Sequence, residues 1–157
     1  MSEPATPPPS RLSGGCQCGA VRYCAVGAPV EVSVCHCRMC QKAGGGPFLA
    51  FAKLPLASVE WTRGAPAIFK SSNIATRGFC AMCGTPLAYQ WQPDAISLTT
   101  GSFDEPAAIQ PSVRYGMEGL LPWSESLAGL PADTTDNWLA PGSNQTFVNH
   151  QHPDHDT

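Results

Sequence analysis

The sequence predicts a mostly β domain built of several small antiparallel sheets. Three observations carry that expectation. Short runs rich in β-branched and aromatic residues recur along the chain, and the clearest of them alternates with a period of two. Glycine and proline, 15 and 16 copies in 157 residues, interrupt these runs and leave no room for long elements. No segment keeps a helical period for long.

The elements follow in order. Residues 1–13 begin "MSEPATPPPSR" and are Pro- and Ser-rich, which predicts a disordered arm. That arm has no apolar core of the kind a secretory signal needs, so the expected location is the cytoplasm. A single domain is expected over residues 14–135. Its first clear strand is "AVRYCAV", with Val21, Tyr23 and Ala25 on one face. "VEVSV" follows, then one or two helical turns at "RMCQKA". "FLAFAKL", "VEWT", "AIFKSS", "PLAYQW" and "ISLTT" complete the run of short strands. Residues 136–157 read as a polar C-terminal tail, whose His150, His152 and His155 are expected in solvent.

Composition excludes whole classes of function. Nine Lys and Arg stand against twelve Asp and Glu, for a net charge of −3, so no basic stripe exists to neutralise phosphates. No apolar run approaches the roughly 18 residues that span a bilayer. Neither a nucleic acid nor a membrane is expected as a partner.

Eight cysteines carry the chemistry. In a reducing compartment they read as metal ligands before they read as disulfides. Cys16 and Cys18 in "GGCQCGA", with Cys80 and Cys83 in "FCAMCGT", are two half-sites that add up to one four-cysteine zinc. Gly84 suits the sharp bend after Cys83. Cys35, Cys37 and Cys40 in "CHCRMC" remain together, and three protein ligands with an open position mark a catalytic zinc. Two zinc ions per chain are therefore expected. Cys24 either closes that second site or is a buried small hydrophobe, and its place on an alternating strand favours burial. Three thiolates carry −3 against the metal's +2, which disfavours hydroxide chemistry and favours a substrate thiolate as fourth ligand. Arg38 and Lys42 flank the ligands, either to meet a substrate carboxylate or as surface charges. "GGGPF" at 44–48 is either a close approach to a ligand or a plain loop. His36 could orient a ligand or relay a proton, but it falls between two cysteines expected to face the metal, so its ring is expected to point away and a structural role is favoured.

The stretches "GGCQCGAVRY", "CHCRMCQKAGGGPFLAF", "VEWTRGAPAIFKSS", "RGFCAMCGTPLAY" and "ISLTTGSFDEP" are similar, in order and spacing, to the glutathione-dependent formaldehyde-activating enzyme family. That family also includes relatives of centromere protein V. The resemblance runs from about Gly14 to Leu130. It implies a zinc-bearing β-tent, with Cys16, Cys18, Cys80 and Cys83 on a structural zinc and Cys35, Cys37 and Cys40 on a catalytic one. It implies condensation of glutathione with formaldehyde to S-(hydroxymethyl)glutathione, classed by its reverse as a carbon–sulfur lyase. The alternative is a non-catalytic zinc module that carries a thiol or contacts a partner protein. One departure stands out. Many members carry a histidine near "PSVRYG", where this chain has Arg114.

Overall fold

The computed structural model describes residues 11–134 and 146–157. They form two sheets and one α-helix, so the mostly β expectation holds. The smaller sheet joins β1 (Arg11–Gly15), β2 (Arg22–Val26) and β5 (Val59–Arg63), all antiparallel. The larger sheet has seven strands. They are β3 (Glu31–Cys35), β4 (Leu49–Pro55), β6 (Ala67–Lys70), β7 (Thr76–Phe79), β8 (Pro86–Gln90), β9 (Ala95–Thr99) and β10 (Val113–Tyr115), in the spatial order β10-β3-β4-β9-β8-β7-β6. One pairing departs from the antiparallel expectation, because the chain returns after β9 to lay β10 parallel to β3. The helix α1, Arg38–Gly44, falls where the sequence placed it. Among the described residues no helix is long and apolar enough to cross a membrane.

Period two explains how the larger sheet uses its faces. Ala52, Leu98 and Ala88 are partners on successive strands, and all three are buried in the core with Leu54, Ile96 and Leu12. The next rung points the other way. Cys35 partners Leu49, and Phe51 partners Thr99. Further across, Tyr89 partners Arg77, which partners Phe69. One face of the sheet is thus committed to the core, and the other carries cysteine, arginine and aromatic groups.

The smaller sheet locks onto the larger through "GSFDEP". Arg22 forms a bidentate pair with Asp104 at 2.8 and 2.6 Å, and Ser13 donates to the same carboxylate at 2.6 Å. Both charged side chains are buried. Burial pushes the Asp104 carboxyl up, but the Arg22 guanidinium and the Ser13 hydroxyl outweigh it and leave the group below the ordinary aspartate range. Tyr23, fully buried, shares a hydrogen bond with Ser102 and meets Trp61 and Phe103 edge-on.

Two boundaries differ from the sequence expectation. Arg11, Leu12 and Ser13, placed in the disordered arm, pair with Val26, Ala25 and Cys24 in β1. Leu12 enters the core, and that burial outweighs the polar composition around it. Residues 1–10 lie outside the described residues, as do 135–145 of the linker and tail. Within the tail, His152 donates its backbone N–H to Gln17 O at 2.7 Å and Asp156 reaches Arg22 at 2.7 Å. The solvated-tail expectation therefore fails for half-buried His152, while Asp156, His150 and His155 are exposed as expected. "AVRYCAV" also differs in part: Tyr23 and Ala25 are buried, but so are Arg22 and Cys24, and Arg22 is covered by Asp104 and Asp156.

Candidate metal centres

The first cluster joins two turns that are remote in sequence. Cys16 and Cys18 flank one turn, and Cys80 and Cys83 the other. In the second turn Gly84 donates to Cys80 O at 2.8 Å with φ of +78°, the left-handed bend that the sequence assigned to it. Thr85 ties the turns together. Its Oγ1 accepts from Gln17 N at 3.0 Å and lies 3.2 Å from Cys83 Sγ. Val21 N donates to Cys16 Sγ at 3.2 Å. Cys16 Sγ lies 3.6 Å from Cys18 Sγ, which lies 3.8 Å from Cys80 Sγ. A tetrahedral ion with Zn–S bonds of about 2.3 Å separates its sulfurs by about 3.8 Å, so the four thiols fit such an ion. Burial raises the Cys83 thiol, but the Thr85 hydroxyl and nearby backbone N–H groups overcome this and bring it to about 6.

The second cluster is local. Cys35 ends β3, Cys37 caps α1, and Cys40 lies one turn inside the helix. Cys37 Sγ accepts from Cys40 N at 3.5 Å. The three sulfurs lie within 4.8 Å of one another, and no fourth His, Cys, Asp or Glu joins them among the described residues. Buried Gln41 fixes the loop by donating to His36 O at 2.8 Å and to Gly119 O at 2.7 Å. The chain after β10 closes the other side. Gly116 adopts φ of +63°, and a Cβ there would lie 2.5 Å from Cys37 N. Only glycine admits this approach.

Arg77 supplies the cluster's charge. Its Nη2 donates to Cys40 Sγ at 3.3 Å, its Nε donates to Ser71 Oγ at 3.0 Å, and its guanidinium sits 4.9 Å from the centre of the Tyr89 ring. The Cys35 thiol, donating to Cys40, and then Arg77 lower the Cys40 group against the opposing effect of burial. The same bond to Cys40, then burial, raises Cys35. The cluster thus sets a thiol of lowered pKa beside a buried cation, and its sulfur donors suit soft divalent metals.

All seven sequence-assigned ligands fall into these two clusters, and Cys24 joins neither. It is buried on β2 with its thiol towards Ala25 O. His36 is buried against Phe48, and its ring nitrogens are not grouped with the three sulfurs. Its Nε2 lies 3.4 Å from Arg114 Nε, and Arg114 also pairs with Glu125 at 3.0 Å. Arg38 and Lys42 are exposed, and Arg38 donates to Gln41 Oε1 at 3.2 Å. "GGGPF" terminates α1, with Gly45 at its C-cap donating to Gln41 O. Sequence reasoning missed Arg77 and Tyr89. The signal for Arg77 is present in "ATRGFC", a charge inside a buried strand three residues before a ligand.

A model of the glutathione-dependent formaldehyde-activating enzyme family matches residues 11–117. That span is more than half of the chain. The chain belongs to this family. Its matched span begins at β1 and includes all seven clustered cysteines, so both candidate metal centres lie inside the glutathione-dependent formaldehyde-activating enzyme domain. The chain is 33% identical over 78 residues to an uncharacterised lyase of Schizosaccharomyces pombe, covering 50% of this chain and 56% of the relative. It thus spans about half the length of that curated relative. A crystal structure of a Rhodobacter sphaeroides protein shares the fold, with a TM-score of 0.54 and 20% identity, over 65% of this chain and 98% of that one.

Proposed function

We propose that this chain is a two-zinc carbon–sulfur lyase that reversibly joins a thiol, glutathione in the family's reaction, to formaldehyde or a related aldehyde. One observation carries the reading: three thiols gathered on one side, with no fourth protein ligand among the described residues, beside a buried arginine. The family and the lyase name of the relative support it. Cys16, Cys18, Cys80 and Cys83 would hold a structural zinc, and Cys35, Cys37 and Cys40 the zinc of the reaction. Bound there, zinc supplies a soft cation that keeps a thiol deprotonated at neutral pH.

The chain's own residues do the rest. Gln41 holds the Cys35–Cys37 loop to the wall formed by Gly119. Arg77 donates to Cys40 Sγ and offsets part of the cluster's negative charge. Tyr89 lies under the guanidinium and fixes its plane. Burial raises the Tyr89 hydroxyl above its ordinary range, so it stays neutral beside the thiolates. The expected compartment is the reducing cytoplasm, which keeps such thiols available.

The test replaces zinc with cobalt, whose visible spectrum reports its ligands. Glutathione should increase the sulfur-to-cobalt bands to saturation, and S-methylglutathione, which has no ionisable thiol, should not. A flat titration with both metals present would leave a non-catalytic zinc module in front.

A further inference from the structure

The face of the large sheet that bears Cys35 also bears a cavity of about 190 Å³. Its walls include Leu49, Phe51, Phe69, Phe79 and Pro86, and Arg77 is its charged member. Three contacts place it beside the second cysteine cluster. Arg77 lines it and donates to Cys40 Sγ. Leu49 is the register partner of Cys35, and Ala43 lies one helical turn beyond Cys40. The wall's hydroxyl, on Thr99, already donates to Pro86 O at 2.7 Å. Arg77 Nη1 has no hydrogen-bond partner among the described residues.

Size and polarity select the occupant. A cavity of roughly 150 Å³ lined by aliphatic and aromatic side chains is large enough for benzene. Glutathione suits these walls poorly, because its amides and carboxylates would be buried against hydrocarbon without partners. Formaldehyde, whose carbonyl carries only hydrogens, leaves the space empty. We propose that the cavity receives the apolar, phenyl-sized substituent of an aldehyde co-substrate, with Arg77 donating to the carbonyl oxygen. This deepens the thiol–aldehyde function above and rests on it.

The step balances without a redox partner. The thiol gives its proton to water. Its sulfur then adds to the carbonyl carbon, and the carbonyl π pair moves to oxygen. Arg77 meets the developing negative charge with a hydrogen bond, and water returns a proton to give the hydroxyl. The reverse reaction breaks the same carbon–sulfur bond.

The experiment uses the full zinc-loaded chain with labelled methyl groups. Benzyl alcohol, an unreactive compound with the same substituent, is titrated while the Leu49 and Ala43 methyl signals are followed. Both should shift saturably. Ala43→Leu, at an exposed helical position, should fill the mouth and weaken binding by roughly 10- to 100-fold. Phe69→Ala, at an exposed position on the edge strand, should weaken it by removing a wall. With glutathione saturating, the ratio of kcat/KM for phenylacetaldehyde to that for formaldehyde should fall at least tenfold in Ala43→Leu. Methyl signals that stay fixed, while glutathione still produces the cobalt bands, overturn this inference and leave the thiol site standing. Methyl shifts without any cobalt response overturn the thiol reading, and the aldehyde assignment with it. Displacement of benzyl alcohol by benzyl mercaptan but not by phenylacetaldehyde assigns the cavity to the thiol and also overturns the inference.

Discussion

The two cysteine clusters use the same donor atom to opposite ends. The first collects four thiols from turns 62 residues apart, so an ion there closes a long loop. The second takes three thiols from six consecutive residues, so an ion there closes almost nothing. The first offers four ligands, which suits the architectural role proposed for it. The second has no fourth ligand among the described residues and faces a cavity, which suits the reactive role proposed for it. On that proposal, sequence separation within a ligand set, rather than ligand type, is what would divide structure from chemistry.

The largest break in this comparison comes from the first cluster. Structural zinc sites bind with about 10–16 kcal/mol at neutral pH, and that free energy is folding free energy. A domain of this size is stable by only about 5–15 kcal/mol. Cys80→Ser should therefore yield insoluble or unfolded protein, checked by zinc content beside a thermal melt. If the variant melts like the parent with two zincs bound, the division between the clusters is wrong.

Next in size is the lock that joins the smaller sheet to "GSFDEP". Asp104→Asn leaves Arg22 buried without its main partner and should cost about 3–5 kcal/mol at pH 7 in a urea titration. The folded carboxyl is lowered, so its contribution is full above the ordinary aspartate value near 3.8 and is lost as pH falls through the lowered one. The gap between parent and variant should close over that acid window. A gap that persists below it would show that the charge of Asp104 is not what holds the sheets.

The second cluster should break more gently. Cys40→Ser should leave a folded chain carrying about one zinc, because no long loop depends on this ion. Far-UV circular dichroism should match the parent, while elemental analysis shows the loss. A variant that precipitates would move this cluster into the architecture alongside the first. Cys24→Ala sharpens the contrast from outside both sets. It should keep both zincs and cost about 1 kcal/mol of packing, read from the shift in a denaturation midpoint. Loss of one zinc equivalent in that variant would make Cys24 a ligand and close the second site.

The two thiol clusters were legible because thiol spacing is a local code, and "CQC", "CHCRMC" and "CAMC" each write one short clause of it. The division of Cys24 from the rest was legible for the same reason. Arg77 was not, because its role depends on the register that sets β7 against β8 and carries its guanidinium over Tyr89. Register is a property of pairing, and a single strand does not disclose it. The β10–β3 pairing was hidden likewise, since parallel neighbours are chosen by the path of the whole chain. At the N-terminus, composition pointed one way and a single residue the other. "PPPSR" reads as an arm, yet Leu12 is core. One buried leucine outweighs its neighbours because a strand needs only alternate residues to face inwards.

That late return of β10 to β3 has a consequence for how the protein is made. The wall against Cys37 is supplied by Gly116 and the wall against His36 by Gly119, both near the end of the folded domain. Gly119 follows Cys35 by 84 positions. At synthesis rates of about 5–20 residues per second, "CHCRMC" leaves the ribosome about 4–17 s before its own wall exists. Throughout that interval the three thiols stand open to metals, oxidants and aldehydes alike. The length of that exposure is set by the pace of translation rather than by the stability of the finished fold. Slowing the ribosome between Cys80 and Gly119 lengthens it without altering one contact in the native protein.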